Sequence, residues 1–312
     1  MTITTPMSGR FAAVALALVL LGGCCLAIVR PGVRPAGLMR DFNAFYCAGR
    51  AIAHRADPYR TEPLGSCERE RKPAPLLTGA TALVMPAPLP PYALLPFVVL
   101  ARLPYVASAI VWGCAILLAV GIAALALRRA TGMPLAPLLG ALALTDGFAS
   151  LCLGQIAPIA VAAIAVAAMF LKQRRDVAAA LAASVAMIEP HVGLPACIAI
   201  FVWRGRSRVA LLAVALGCVV TSLALTGLPT MLEYLRAVVP AHALSEVANE
   251  KQFSLTYALH RFGLADGLAA RIGAIWYLAM LASGVALARL VAKRTGDAAA
   301  LAVIPPALAV VG

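Results

Sequence analysis

Three groups of residues have the types and placement to do chemistry. The first is Asp41, in the stretch Arg40-Asp41-Phe42-Asn43-Ala44-Phe45-Tyr46-Cys47-Ala48-Gly49-Arg50, about twelve residues after an apolar run. A carboxylate held at a membrane surface can take the proton of an attacking hydroxyl and so act as a general base. The alternative is an interfacial helix whose Phe42, Phe45 and Tyr46 dip into lipid as an aromatic belt. The second group comprises Asp146 and Glu189, near the ends of apolar runs, with Gln155 after Gly154 and His191 just across Pro190. A charge there is costly unless it has a partner. Glu189, Gln155 and Tyr46 therefore read as residues lining a cavity, with snorkelling of Asp146 and helix capping by Gln155 as the plainer alternatives. The third group lies in Asn249-Glu250-Lys251-Gln252-Phe253-Ser254-Leu255 and the later pair His260-Arg261. Lys251, His260 and Arg261, with His191, can hold a phosphate by charge-assisted hydrogen bonds. A solvated amphipathic helix is the alternative for this segment.

Other chemistries find no support in the residues. There is no P-loop, no glycine-rich dinucleotide turn, no HExxH and no nucleophile elbow. Of eight cysteines, Cys24, Cys25, Cys114, Cys197 and Cys218 lie in apolar runs and read as small hydrophobes. No cysteine or histidine spacing suits zinc, and no metal or cofactor is expected. Cys47 and Cys67 share one polar segment and can pair if it faces an oxidising compartment. Leu21-Gly22-Gly23-Cys24 resembles a lipoprotein processing site, but an uncleaved first membrane helix fits better, since further spans follow.

The elements that must position these groups are transmembrane. The chain has 312 residues, of which 62% are hydrophobic and only 12% charged, and its mean hydropathy is +0.92. Too little polar surface is left to cover a water-soluble fold, where about 25% of residues are charged. A soluble enzyme, a nucleic-acid-binding module and a disordered chain are thereby excluded, and the net charge of +13 sits in short clusters between apolar runs. Crossing the hydrocarbon core takes roughly 20 apolar residues. The apolar runs are 11–29, 105–127, 134–150, 156–171, 177–190, 192–203, 209–227, 268–292 and 298–312. The fold class is therefore all-α, a polytopic bundle of about nine spans in one integral membrane domain, with several runs short enough for two to be re-entrant or tilted. The last run reaches Gly312 without a polar flank, the pattern of a chain that continues.

Orientation follows from the short connectors. Arg128-Arg129, Lys172 to Arg175, Arg204 to Arg208 and Lys293-Arg294 are basic, and they alternate with turns at Gly154-Gln155 and Pro190-His191 that lack Lys and Arg. The positive-inside rule places the basic set in the cytoplasm. The segment 30–104 carries ten Lys or Arg and opposes this, but long segments translocate largely regardless of charge. Eleven of the thirteen carboxylates then lie outside, leaving Asp176 and Asp297 within. Two long outer segments, 30–104 and 228–267, hold most of the polar chemistry. In the first, Asp57-Pro58-Tyr59 reads as a turn ending a helix, and the run Pro86 to Pro91 prevents helix until about Tyr92.

Taken in order, these pieces resemble glycosyltransferase family 87, whose members use polyprenol-phosphate sugars and have the GT-C fold. The resemblance rests on Asp41-Phe42 with Phe45-Tyr46 and Ala48, on Asp57-Pro58-Tyr59, and on Pro90-Pro91-Tyr92 through Leu94-Leu95-Pro96 to Leu103-Pro104. It continues with Gly154-Gln155 and with Gln252-Phe253-Ser254-Leu255 followed by Arg261, over roughly residues 10 to 300. It implies a hexosyltransferase of a bacterial-type plasma membrane, similar to α-mannosyltransferases, with its site outside the cytoplasm. The implied partners are a polyprenyl-phosphate-linked sugar, mannose foremost, a lipid or glycan acceptor and the surrounding lipids, with no nucleic acid. Asp41 takes the place of the family's acidic residue after the first helix, the catalytic base. Two positions depart from the pattern. Glu189-Pro190 stands where Lys-Pro is common, and Arg55 replaces a glycine often found before Asp-Pro-Tyr.

A sugar phosphodiester already carries a good leaving group, so one carboxylate can suffice, with inversion at the anomeric carbon. Two other classes compete. A transporter or flippase would place charges in mid-span and repeat its halves, and no repeat is seen. A non-enzymatic scaffold would need neither the outer carboxylates nor the order of the motifs.

Overall fold

The computed structural model describes residues 39–70, 87–248 and 254–310. The run 11–29 and Lys251 to Phe253 lie outside these, as does the side chain of Asp146. Every regular element among the described residues is a helix. Helix α1 (Arg40–Ala53) and α2 (Thr61–Arg69) precede a 3-10 turn, Pro91–Leu94, that runs into α3 (Leu95–Leu100). Next come α4 (Tyr105–Thr131), then α5 (Leu135–Leu142) and α6 (Phe148–Leu153), joined through a π-helical turn at Ala143–Gly147. Helix α7 (Ala157–Lys172) is followed by α8 (Asp176–Val185) with a 3-10 turn at Ala186–Ile188, and by α9 (Pro190–Trp203). The chain closes with α10 (Arg208–Glu233), α11 (Val239–Glu246), α12 (Leu255–Arg261), α13 (Asp266–Thr295) and α14 (Ala300–Ala309).

Apolar segmentation alone explains most of these boundaries. Pro104, Pro134 and the Pro158 turn open helices where a missing N–H costs nothing, and Gly132 and Gly296 close α4 and α13 in the left-handed conformation. Helix α10 kinks at Gly227, two residues before Pro229, where the apolar run 209–227 was expected to end. Nine spans were expected. Among the described residues, three helical stretches are long and apolar enough to cross a membrane: Tyr105–Thr131, Gly205–Glu246 and Asp266–Thr295. The remaining apolar helices have 10–17 residues, because turns at Gly154, Glu189 and Arg204 cut the apolar sequence before it reaches span length.

The outward faces of the long helices are apolar. Val106, Ile110, Leu117 and Leu118 on α4, Val209, Leu212 and Leu216 on α10, and Ile275 and Leu278 on α13 are all exposed. Such faces require hydrocarbon as their solvent. The inward faces are made of small residues. Ala160, Ala167, Ala179, Ala180, Ala183, Ala186 and Ala196 are fully buried, which lets α7, α8, α9 and α14 approach closely.

The connectors sort to two ends. Lys172 donates to the Ala130 carbonyl at 2.6 Å and pairs with Asp297 at 3.3 Å, and Arg204 lies 3.8 Å from Asp176. These contacts bring the basic connectors after α4, α7, α9 and α13 together. The Gly154 turn and Ile188 pack on the other cluster, the one that buries Phe42.

Candidate functional site

Asp41 is the second residue of α1, in a first turn where a negative charge complements the helix macrodipole. Its position is fixed by neighbours distant in sequence. Met39, in the left-handed region at φ 57, donates its backbone N–H to the Cys152 carbonyl at 2.6 Å. Trp112 donates from Nε1 to the Gly154 carbonyl at 2.9 Å and stacks on Phe42. Gly154 itself has φ 74, and a Cβ there would lie 2.5 Å from the Cβ of Phe42. Glycine is required twice, by the backbone conformation and by the approach of α1. The next residue, Gln155, accepts from the Ser150 hydroxyl at 3.2 Å through Oε1. Asp41 and Gly154-Gln155, far apart in the chain, are thus neighbours in space.

The aromatic residues after Asp41 are core residues. Phe42 is 0% and Tyr46 3% exposed, and they pack with Phe45, Phe97, Tyr105 and Trp112. The lipid-facing aromatic belt is therefore corrected: protein, not lipid, covers this face. Tyr46, expected along a cavity, donates its hydroxyl to the Leu103 carbonyl at 2.9 Å.

A disulfide joins Cys47 in α1 to Cys67 in α2. Asp57 makes the expected turn, its Oδ1 accepting from the Tyr59 N–H at 2.9 Å, and its Oδ2 pairs with Arg60 at 3.2 Å. Three tyrosines then pin the proline run and the 3-10 turn after it. Tyr59 donates to the Leu89 carbonyl at 2.8 Å, Tyr234 to Pro88 at 3.1 Å, and Tyr92 to Met187 at 3.0 Å. Burial, with Tyr234 and then Asp57 beside it, pushes the Tyr59 phenol well above its ordinary range, which keeps it a donor. Arg60 also reaches Glu233 at 3.9 Å, linking the first polar segment to the end of α10.

The Tyr92 contact brings the Glu189 turn to the same end. Glu189 sits between the 3-10 turn and α9, with Oε1 3.4 Å from His191 Nε2, while Ile188 packs on the cluster around Phe42. Gly193 makes this turn possible, since a Cβ there would run into the backbone of Ala186 and Met187. Asp41, Tyr46, Gln155, Glu189 and His191 therefore belong to one end of the molecule. His260 and Arg261 stand on α12, which packs on α13, and His260 Nδ1 is 2.8 Å from Asp266 Oδ1. The expected phosphate contact of His260 has a carboxylate in its place. Sequence reading assigned no role to Trp112, and it offered Tyr92 only as part of the family motif, not as a tie to Met187. Both are aromatic residues with a polar handle in apolar surroundings, and such handles find a partner when buried.

A model of glycosyltransferase family 87 matches residues 89–311. The chain belongs to glycosyltransferase family 87. No curated protein and no solved structure matches it. The family match takes in Pro90-Pro91-Tyr92, Trp112, the Gly154 turn and Glu189, whereas α1 and Asp41 precede it. Family 87 membership makes the protein a glycosyltransferase, and its exposed apolar helices make it a membrane protein.

Proposed function

We propose that this family 87 enzyme moves a hexose, mannose foremost, from a polyprenyl-phosphate donor to a lipid or glycan acceptor outside the cytoplasm. The observation that carries the reading is the contact of α1 with the Gly154 turn, which holds Asp41 against the region the family match covers. Asp41 takes the proton of the acceptor hydroxyl as that oxygen attacks the anomeric carbon. The bond from that carbon to the phosphate oxygen breaks, the electron pair leaves with polyprenyl phosphate, and the centre inverts. General-base help of this kind is worth about 10²–10⁴-fold. Charge growing on the departing phosphate calls for preorganised donors. His191, at the Asp41 end, is one candidate, with Arg261 and Lys251 from the second polar segment as further ones.

The test is transfer by purified protein in lipid, using labelled polyprenyl-phosphate sugars and membrane extract. Asp41→Asn should lower turnover by about 10²–10⁴-fold with little change in donor affinity. Asp57→Asn, which can still accept from the Tyr59 N–H, should stay near wild type. Near-normal turnover with Asp41→Asn would move the base elsewhere, with Glu189 the next to replace. Direct use of a nucleotide sugar would refute the lipid-linked donor.

A further inference from the structure

The end of the bundle opposite Asp41 contains a cleft of about 680 Å³ between the connectors after α7, α9 and α13. Its charged wall consists of Lys172, Arg174, Arg204 and Arg206, with Asp176 and Asp297. The cations outnumber the carboxylates, and they differ in how they are engaged. Lys172 is bound to Asp297 and to the Ala130 carbonyl. Arg204 Nε and Asp176 Oδ1 face each other at 3.8 Å, both shut off from solvent, and neither makes a hydrogen bond among the described residues. Arg174 and Arg206 are exposed at the cleft and have no ion pair among the described residues. Arg174 also holds a left-handed backbone at φ 58, a conformation that costs energy for a residue with a Cβ. None of these groups takes part in the site built around Asp41.

We propose that this cleft binds a phosphate ester, the head group of an anionic membrane lipid, through the guanidinium groups of Arg174 and Arg206. Guanidinium presents paired donors that match two phosphate oxygens. The cleft lies among connectors that terminate apolar helices, the part of a membrane bundle that meets the head groups. Basic pockets between helices at that level suit anionic head groups. Asp176 and Asp297 hold Arg204 and Lys172 in place and leave the two free arginines for the ligand. The proposal does not depend on which sugar or acceptor the enzyme uses.

The full chain, purified in detergent, is offered equal amounts of phosphatidylglycerol and phosphatidylcholine, and bound lipid is read by native mass spectrometry. Thermal protection by inorganic phosphate is measured in parallel. Wild type should retain phosphatidylglycerol preferentially. The double variant Arg174→Gln with Arg206→Gln should lose that preference by about 30-fold, from roughly five-fold per arginine. Arg128→Gln with Arg129→Gln removes the same charge from a neighbouring connector outside the cleft and should keep it. Protection by inorganic phosphate without lipid preference, lost in the cleft variant, would keep the phosphate site and assign it a soluble ligand. Equal loss in both double variants would overturn the proposal in favour of diffuse surface charge. So would a wild type that neither distinguishes the lipids nor responds to phosphate.

Discussion

Replacing Gly154 by alanine tests how the Asp41 helix is held. The residue has φ 74 and ψ 33, a left-handed conformation that costs an alanine about 1–2 kcal/mol. The added Cβ would sit 2.5 Å from Phe42 Cβ, 2.9 Å from Met39 Sδ and 3.2 Å from the Phe42 nitrogen. Carbon atoms pack at about 3.5–4.0 Å, so the first turn of α1 must retreat by roughly 1 Å. The Met39 side chain can turn away, but Phe42 Cβ moves only with its backbone, and Phe42 is fully buried among aromatic rings. Overpacking of this kind costs about 1–3 kcal/mol, which brings the whole to roughly 2–5 kcal/mol. A displacement of about 1 Å at a reacting group is enough for a loss near 10²-fold. Gly154→Ala should therefore lower both thermal stability in detergent and sugar transfer in lipid. Trp112→Phe keeps the ring but removes the donor to the Gly154 carbonyl, so it should cost about 1–3 kcal/mol. Wild-type stability and turnover for Gly154→Ala would refute the claim that this contact positions Asp41.

Cys67→Ser opens the 20-residue loop closed by the Cys47–Cys67 bond, and should lower stability by about 3 kcal/mol. If the loop faces outward, impermeant thiol reagents should reach Cys67 in intact cells only after reduction, and labelling confined to permeabilised cells would reverse the orientation. Tyr92→Phe removes the hydroxyl that joins the proline run to the Met187 carbonyl, with an expected loss of about 0.5–1.5 kcal/mol in thermal unfolding. Glu62 is held below its ordinary value of 4.5 by hydrogen bonds from the Arg69 guanidinium and from Ser66. Its folded pKa is depressed, so its contribution is present above the unfolded pKa and disappears as pH falls through the folded one. Wild type and Glu62→Gln should therefore differ in melting temperature near neutrality and converge in acid.

Much of the architecture was legible because it depends on local physics. Hydropathy located the helices, and the run 105–127 became the core of Tyr105–Thr131 because no charged residue interrupts it. Proline chemistry kept the chain out of helix until Pro91, and Asp57-Pro58-Tyr59 formed its turn by bonds within three residues. The lengths of the spans were less legible, since glycine and proline turns cut apolar stretches that average hydropathy joins together. The surroundings of the site were decided by tertiary structure alone. An aromatic face such as Phe42, Phe45 and Tyr46 satisfies lipid and protein equally well, and only the arrival of Phe97, Tyr105 and Trp112 made it a core. His260 had the right charge for a phosphate, but folding placed Asp266 beside it. Whether Phe42 meets Gly154, or Tyr92 meets Met187, depends on how helices of nearly uniform apolar composition pack. Composition of that kind fixes that helices form without fixing which of their ends come together.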